Sequence, residues 1–250
     1  MRILISNDDG IEAPGIARLE AAARRLSDDV WVVAPETKHT AAGPSLTMAK
    51  PITMTRLGER HYSCSGRPAD CVIAAFAWLF KDDAKPDLVL SGVNDGRNVA
   101  EDLAYSGTLG IAREASFWGA PAIGFSRVKA PDLSPDDDEW LAGLVGDLWD
   151  RRANWHAEGH FLSVNLPKAL PAEIRQPAIG RDKIGRMAEV AEREGDRTVL
   201  VFPRGRAHAA TPGDENDAID RGFATVNRLN WFGETRLPGA FVESLGASAG

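Results

Sequence analysis

Residues 1–14, MRILISNDDGIEAP, decide the fold. Arg2-Ile3-Leu4-Ile5-Ser6 is an apolar run too short for a helix and reads as a buried strand. It empties into Asn7-Asp8-Asp9-Gly10 and then reaches Pro14, followed by Ile16, Leu19, Ala22 and Leu26 at helical spacing. Proline suits the first turn of a helix, where its missing N–H would be unpaired in any case. Two carboxylates therefore stand where a first strand hands over to a first helix. In open α/β sheets that edge is where ligands bind. Adjacent anions need a counter-charge, and a hard divalent cation such as Mg²⁺ supplies one through oxygen ligands. The same four residues also suit an ordinary turn, so partners elsewhere in the chain must separate the two readings.

Working outward, Val30-Trp31-Val32-Val33-Ala34 is a second buried strand and closes a β-α-β unit. The loop that follows, through Pro44, carries His39 and Thr40 to the same edge as Asp8 and Asp9. The Thr40 hydroxyl can serve a cation or bond its own backbone. Pro86 to Leu90 is a third strand and opens into Ser91-Gly92-Val93-Asn94-Asp95-Gly96-Arg97-Asn98. Ser106, Gly107 and Thr108 lead a helix, where hydroxyls and free N–H groups suit an anion. Ala120 to Ser126 is a fourth strand. Strands alternating with helical patterns predict an α/β fold with a parallel sheet.

The remaining segments are read more briefly. Ser45 to Met48 and Pro51 to Arg56 are short extended pieces, and Asp70 caps a helix from Cys71 to Phe80. Ser134 to Glu139 opens a helix through Trp149, its acidic run favourable at a helix N-terminus. His156 and His160 lack the HExxH zinc pattern and read as a loop before a strand from Phe161 to Leu166. Arg181 to Glu194 reads as helical, Thr198 to Pro203 and Phe223 to Leu229 as strands of an arm. Pro203 to Asn216 reads as a loop, and Gly246 to Gly250 as a mobile tail.

The chain has 250 residues, 44% hydrophobic and 26% charged, enough for one large domain with a proper core. A net charge of −7 argues against a protein that coats a nucleic-acid duplex or a membrane surface. It also means that an anionic substrate needs a local cation to reverse the field. No run of 18 apolar residues occurs, which predicts a soluble, cytoplasmic protein. The two cysteines, Cys64 and Cys71, fit no metal or redox pattern and are expected as thiols.

Four stretches together resemble the SurE family, the stationary-phase survival proteins that act as nucleotidases. They are Ser6-Asn7-Asp8-Asp9-Gly10 with Ala13-Pro14-Gly15; Val33-Ala34-Pro35; Ser91-Gly92-Val93-Asn94 with Gly96 and Asn98; and Tyr105-Ser106-Gly107-Thr108. Weaker echoes are Pro68-Ala69-Asp70-Cys71-Val72, Val164-Asn165-Leu166-Pro167, and Asp217-Ala218 with Gly222-Phe223. Any one tetrapeptide is weak; the ordered set is specific. The resemblance implies a Rossmann-like three-layer α/β/α sandwich with a mostly parallel sheet and a C-terminal β-hairpin and helix arm. The core would span about residues 1–180 and the arm, used for a homodimer or homotetramer, about residues 181–250. It implies hydrolysis of nucleoside 5′- and 3′-monophosphates with a divalent cation, Mg²⁺ or Mn²⁺. By position Asp8, Asp9, Thr40 and Asn94 match metal ligands. Ser106, Gly107 and Thr108, with Asn98, match phosphate and substrate contacts, and His39 is a candidate general acid.

The second loop departs from the family pattern Ala-Pro-Asp-Arg-Asn-Arg-Ser-Gly. Here it runs Ala34-Pro35-Glu36-Thr37-Lys38-His39-Thr40-Ala41. Threonine keeps the hydroxyl but stiffens χ1, and Ala41 loses a glycine's backbone freedom. Thr37, Lys38 and His39 replace the family's basic pattern and bear on substrate choice, and Arg197 to Phe202 lacks an aromatic-rich strand. Rival chemistries fit less well. The DxD spacing of haloacid-dehalogenase phosphatases is absent, a His-Pro-Asp-Asp deacetylase needs a histidine that Ile5-Ser6-Asn7 does not offer, and no G-x-G-x-x-G follows the first strand. A non-catalytic nucleotide or metal sensor on the same fold is the alternative from another class.

Overall fold

The computed structural model describes residues 1–182, 187–202 and 209–231. Chain order gives β1 (Ile3–Ser6), α1 (Pro14–Arg24), β2 (Val30–Pro35), β3 (Met54–Arg56), β4 (His61–Cys64) and α2 (Pro68–Ala74). A π-helical turn, Ala75–Leu79, extends α2. Then come β5 (Leu88–Asp95), α3 (Asp102–Tyr105), α4 (Gly107–Phe117), β6 (Ala122–Arg127), α5 (Asp137–Asp150) and β7 (His160–Leu166). The last elements are β8 (Ile174–Arg175), β9 (Glu189–Glu194), β10 (Arg197–Val201), α6 (Glu215–Asp220) and β11 (Ala224–Asn230).

Nine strands form one sheet in the order β3-β4-β2-β1-β5-β6-β7-β11-β8. The six from β4 to β7 are parallel, and β3 and β11 each join antiparallel. A parallel strand covered on both faces alternates its side chains between two cores, which is why Ile3, Leu4 and Ile5 of β1 are all apolar. Ile3 and Ile5 point into the core beneath α1 and α5, with Val32, Leu90, Phe125, Leu141 and Val145. Leu4 points into the opposite core beneath α2 and α4, with Val33, Val89, Phe76, Leu109 and Phe161. The result is the expected three-layer α/β/α sandwich.

Strand β1 lies between β2 and β5, so the chain turns to one side after β1 and crosses to the other to lay down β5. The carboxyl end of β1 is thus the switch point where such sheets open a crevice. Gly15 at the start of α1 lets that helix lie close to β5, since a Cβ there would stand 1.9 Å from the Val93 carbonyl oxygen.

Several expectations need correction. The third strand runs on to Asp95, so Ser91 to Asn94 lie within the sheet and not in a loop after it. Strand β4 lacks an apolar run and escapes a pattern search. The second helix starts at Pro68, and Asp70 caps it from inside the first turn, its carboxylate accepting from the Arg67 N–H at 2.7 Å. Only Met54–Arg56 of the extended pieces is strand, and α5 starts at Asp137. Within Arg181 to Glu194, Glu189–Glu194 is an exposed strand of a two-stranded hairpin with β10, not helix. Phe223 to Leu229 is no part of an arm, because β11 pairs with β7 in the main sheet. Residues 183–186 of the expected helix, 203–208 of the expected loop and the Gly246 to Gly250 tail lie outside the described residues. Among the described residues no helix is long and apolar enough to cross a membrane.

Candidate active site

Four segments meet at the carboxyl end of β1. The turn after β1 is self-supporting: the Asn7 carboxamide accepts from the Gly10 N–H at 3.2 Å and donates to the Gly10 carbonyl at 2.8 Å. This turns Asp8 and Asp9 out of the strand with their carboxylates free for other partners. The β2 loop is stitched to it by the His39 N–H donating to the Asp8 carbonyl at 2.7 Å, and by Ile11 N–H to the Pro35 carbonyl at 2.8 Å. From β5, the Asp95 N–H donates to Asp9 Oδ2 at 3.0 Å. From α4, the Thr108 hydroxyl donates to Asp8 Oδ1 at 2.5 Å.

Each carboxylate has a distinct surrounding. Asp8 is only 7% exposed. Burial raises its pKa to about 6, aided by the neighbouring Asp9 charge and opposed by the Thr108 hydrogen bond and by Lys38. A buried carboxylate with too little counter-charge is a group waiting for a cation. Asp9 forms an ion pair with Lys38, whose ammonium contacts Asp9 Oδ1.

The helix start differs in detail from the expectation that its hydroxyls meet the substrate. Ser106 is the N-cap of α4, its Oγ accepting from the Leu109 N–H at 3.1 Å. The Thr108 hydroxyl is spent on Asp8. What remains for an anion are the Gly107 and Thr108 N–H groups, which no carbonyl inside the helix can reach, together with the positive end of the helix dipole. Gly107 is required on packing grounds, since a Cβ there would lie 2.7 Å from Asp8 Cβ and Oδ2.

The other expected site residues fall into two groups. Asn94, at the end of β5, donates from Nδ2 to the Gly96 carbonyl at 2.8 Å, which leaves Oδ1 as its ligand-capable atom. Thr40 is exposed and its hydroxyl makes no hydrogen bond among the described residues. Asn98 is buried and used as an anchor: Nδ2 donates to Ser126 Oγ at 2.7 Å, and its backbone exchanges two hydrogen bonds with the Asn165 carboxamide. The His39 ring is half-buried, and burial with the Arg67 charge lowers its pKa, opposed by Asp70. The charges that act on it are thus Arg67 and Asp70, not the aspartate pair.

Several supports of the site carry no mark in the sequence. Asp95 contributes the backbone N–H that Asp9 accepts. Glu215 is buried and accepts from the Ala100 N–H at 2.5 Å and the Gly180 N–H at 3.4 Å. Arg97 reaches Asn216 at 3.1 Å and Asp220 at 2.7 Å. Together these bonds clamp the loop after β5 onto α6. A glutamate ending a polar loop carries no sequence signal for that task.

The donors fit a hard cation: two carboxylates, a carboxamide oxygen and a hydroxyl, all oxygen. Among the described residues no three His, Cys, Asp or Glu side chains converge on one point, so any ion here would draw on Asn94, Thr40 and water beside the aspartate pair.

The chain is similar to known proteins over most of its length. A family model described as Survival protein SurE matches residues 3–189. The 5′-nucleotidase SurE of Paramagnetospirillum magneticum is 38% identical over 242 residues, covering 92% of this chain and 89% of that protein. The 5′-nucleotidase SurE of Brucella canis is 39% identical over 243 residues, covering 92% of each. A crystal structure of the SurE protein from Aquifex aeolicus superposes with a TM-score of 0.73 at 28% identity, covering both chains in full.

Proposed function

The chain belongs to the SurE family, and from that premise we propose that it is a nucleotidase that releases phosphate from nucleoside 5′-monophosphates, and from 3′-monophosphates, with the help of a divalent cation. The observation that carries the reading is the Thr108–Asp8 hydrogen bond, which holds a buried carboxylate against the N-terminus of α4. An anion at that helix start and a cation on the aspartate pair would be immediate neighbours. Asp8, Asp9 and Asn94 would hold Mg²⁺ or Mn²⁺, with Thr40 completing the set. When bound, such an ion supplies charge neutralisation at the phosphoryl group and eases deprotonation of water.

The protein's own groups do the rest. The Gly107 and Thr108 N–H groups bind and orient the phosphoryl oxygens, and they are fixed before substrate arrives, so little reorganisation is needed as charge develops. Thr108 also keeps Asp8 in one rotamer. Ser106 acts one step back, by holding the helix start in place. Net charge −7 opposes an anionic substrate at long range, so these local donors must prevail at contact distance. Apolar residues exposed on the β9–β10 hairpin, Val190, Leu200 and Val201, support its use in a homodimer or homotetramer.

The test is phosphate release from a panel of nucleoside 5′- and 3′-monophosphates, with added Mn²⁺ and again with EDTA, run beside Asp9→Asn. The expected result is turnover that EDTA abolishes and Asp9→Asn lowers by at least about 100-fold. Tight nucleotide binding with no phosphate released would favour a sensor instead.

A further inference from the structure

Lys38 stands where the family pattern has asparagine, and its ammonium sits on Asp9 Oδ1. Its backbone cannot drift far from the site. The next residue's N–H is bonded to the Asp8 carbonyl at 2.7 Å, and Thr37 packs against Gly10, where a Cβ would stand 3.3 Å from the Thr37 carbonyl carbon. The side chain itself is about half exposed, at 52%, whereas that of Asp9 is 9% exposed. A long flexible stem on an anchored loop can therefore swing its charge into water without disturbing the turn. The hydrogen bond to Asp9, with the Asp9, Asp95 and Asp8 charges, favours the ammonium form.

We propose that Lys38 is a built-in counter-cation for the Asp8–Asp9 pair, and that loading of a divalent ion is an exchange in which the ammonium leaves Asp9. The inference rests on reading the pair as cation ligands. The ammonium occupies Asp9 Oδ1, the oxygen that the Asp95 N–H leaves open, and two cations cannot sit on one carboxylate oxygen at contact distance without strong repulsion. The metal-free site is thus partly neutralised from within, and ion affinity is set by a competition that a neutral residue at this position would not impose. The released ammonium remains tethered to the loop that is bonded to the Asp8 carbonyl.

The experiment measures Mn²⁺ binding to metal-free protein by the electron paramagnetic resonance signal of the free ion, for wild type, Lys38→Gln and Lys38→Arg. Lys38→Gln is expected to bind Mn²⁺ about tenfold more tightly, and Lys38→Arg no more tightly than wild type. In parallel, acylation of wild-type Lys38 by acetic anhydride, followed by peptide mass spectrometry, is expected to speed up when Mn²⁺ saturates the site. An unchanged dissociation constant in Lys38→Gln, or a Lys38 acylation rate indifferent to Mn²⁺, overturns the exchange. Either failure in a wild type that still releases phosphate with Mn²⁺ leaves the nucleotidase reading in place. A wild type that binds no Mn²⁺ and releases no phosphate overturns both.

Discussion

Ala41 holds a left-handed backbone, φ 54°, in the loop that brings Lys38 to Asp9. An alanine Cβ crowds the following carbonyl in that conformation, at a cost of about 1 kcal/mol that glycine avoids. Ala41→Gly should therefore raise stability by about 0.5–1 kcal/mol, read as a shift of the urea midpoint at unchanged slope. The departure seen in the sequence is real, yet the loop keeps the glycine-like geometry and bears the strain. Asp8 carries the larger tension. Its pKa, about 6, is raised above its unfolded value, so the unfolded chain binds fewer protons between roughly pH 4 and 6 and stability falls as pH rises through that window. Above pH 6 the full penalty is present. Asp8→Asn should stabilise the metal-free protein by about 2 kcal/mol at pH 8 and by much less at pH 4, while abolishing phosphate release. Urea titrations at the two pH values check it; an equal gain at both would remove burial of the charge as the cause.

Among the elements, β1, β2, β5, β6 and β7, with α1, α2, α4 and α5, were legible in order because each of these strands holds a short apolar run and the helices start at recognisable turns or carry their own period. Strand β4 was not, since Ser63 and His61 break the run and its neighbour on one side is only the short β3. Strand β11 was legible as a strand but not in its place, because pairing partners lie far away in sequence and local pattern says nothing about them. The aspartate pair was readable because it sits at a strand-to-helix junction, and the start of α4, which follows α3 directly, was readable from its small residues. The division of labour at α4 was not, because nothing in Ser106-Gly107-Thr108 tells which hydroxyl caps and which meets Asp8. Close packing of α1 on β5 gives a sharp test. An added methyl at Gly15 would stand only 1.9 Å from the Val93 carbonyl oxygen, so Gly15→Ala must push the helix off the strand. It should cost about 3 kcal/mol or more in chemical denaturation, well beyond the usual Gly→Ala change in a helix.

For the whole molecule, the exposed β9–β10 hairpin pairs only with itself among the described strands and presents Val190 at 54% and Leu200 at 50% exposure. If it mediates self-association, Val190→Asp with Leu200→Asp should shift light-scattering mass from oligomer to monomer and leave the far-ultraviolet circular dichroism unchanged. A monomeric wild type would remove that role. The clamp between the loop after β5 and α6 reaches further than stability. Ala100, Arg97 and Gly180 all lean on residues from Glu215 to Asp220, and β11 must slot between β7 and β8. A chain still emerging from the ribosome can pair its first strands early, but until Asn230 has cleared the exit tunnel the polypeptide has the aspartates without a finished site. Nascent chains that stop short of β11 should therefore be inert.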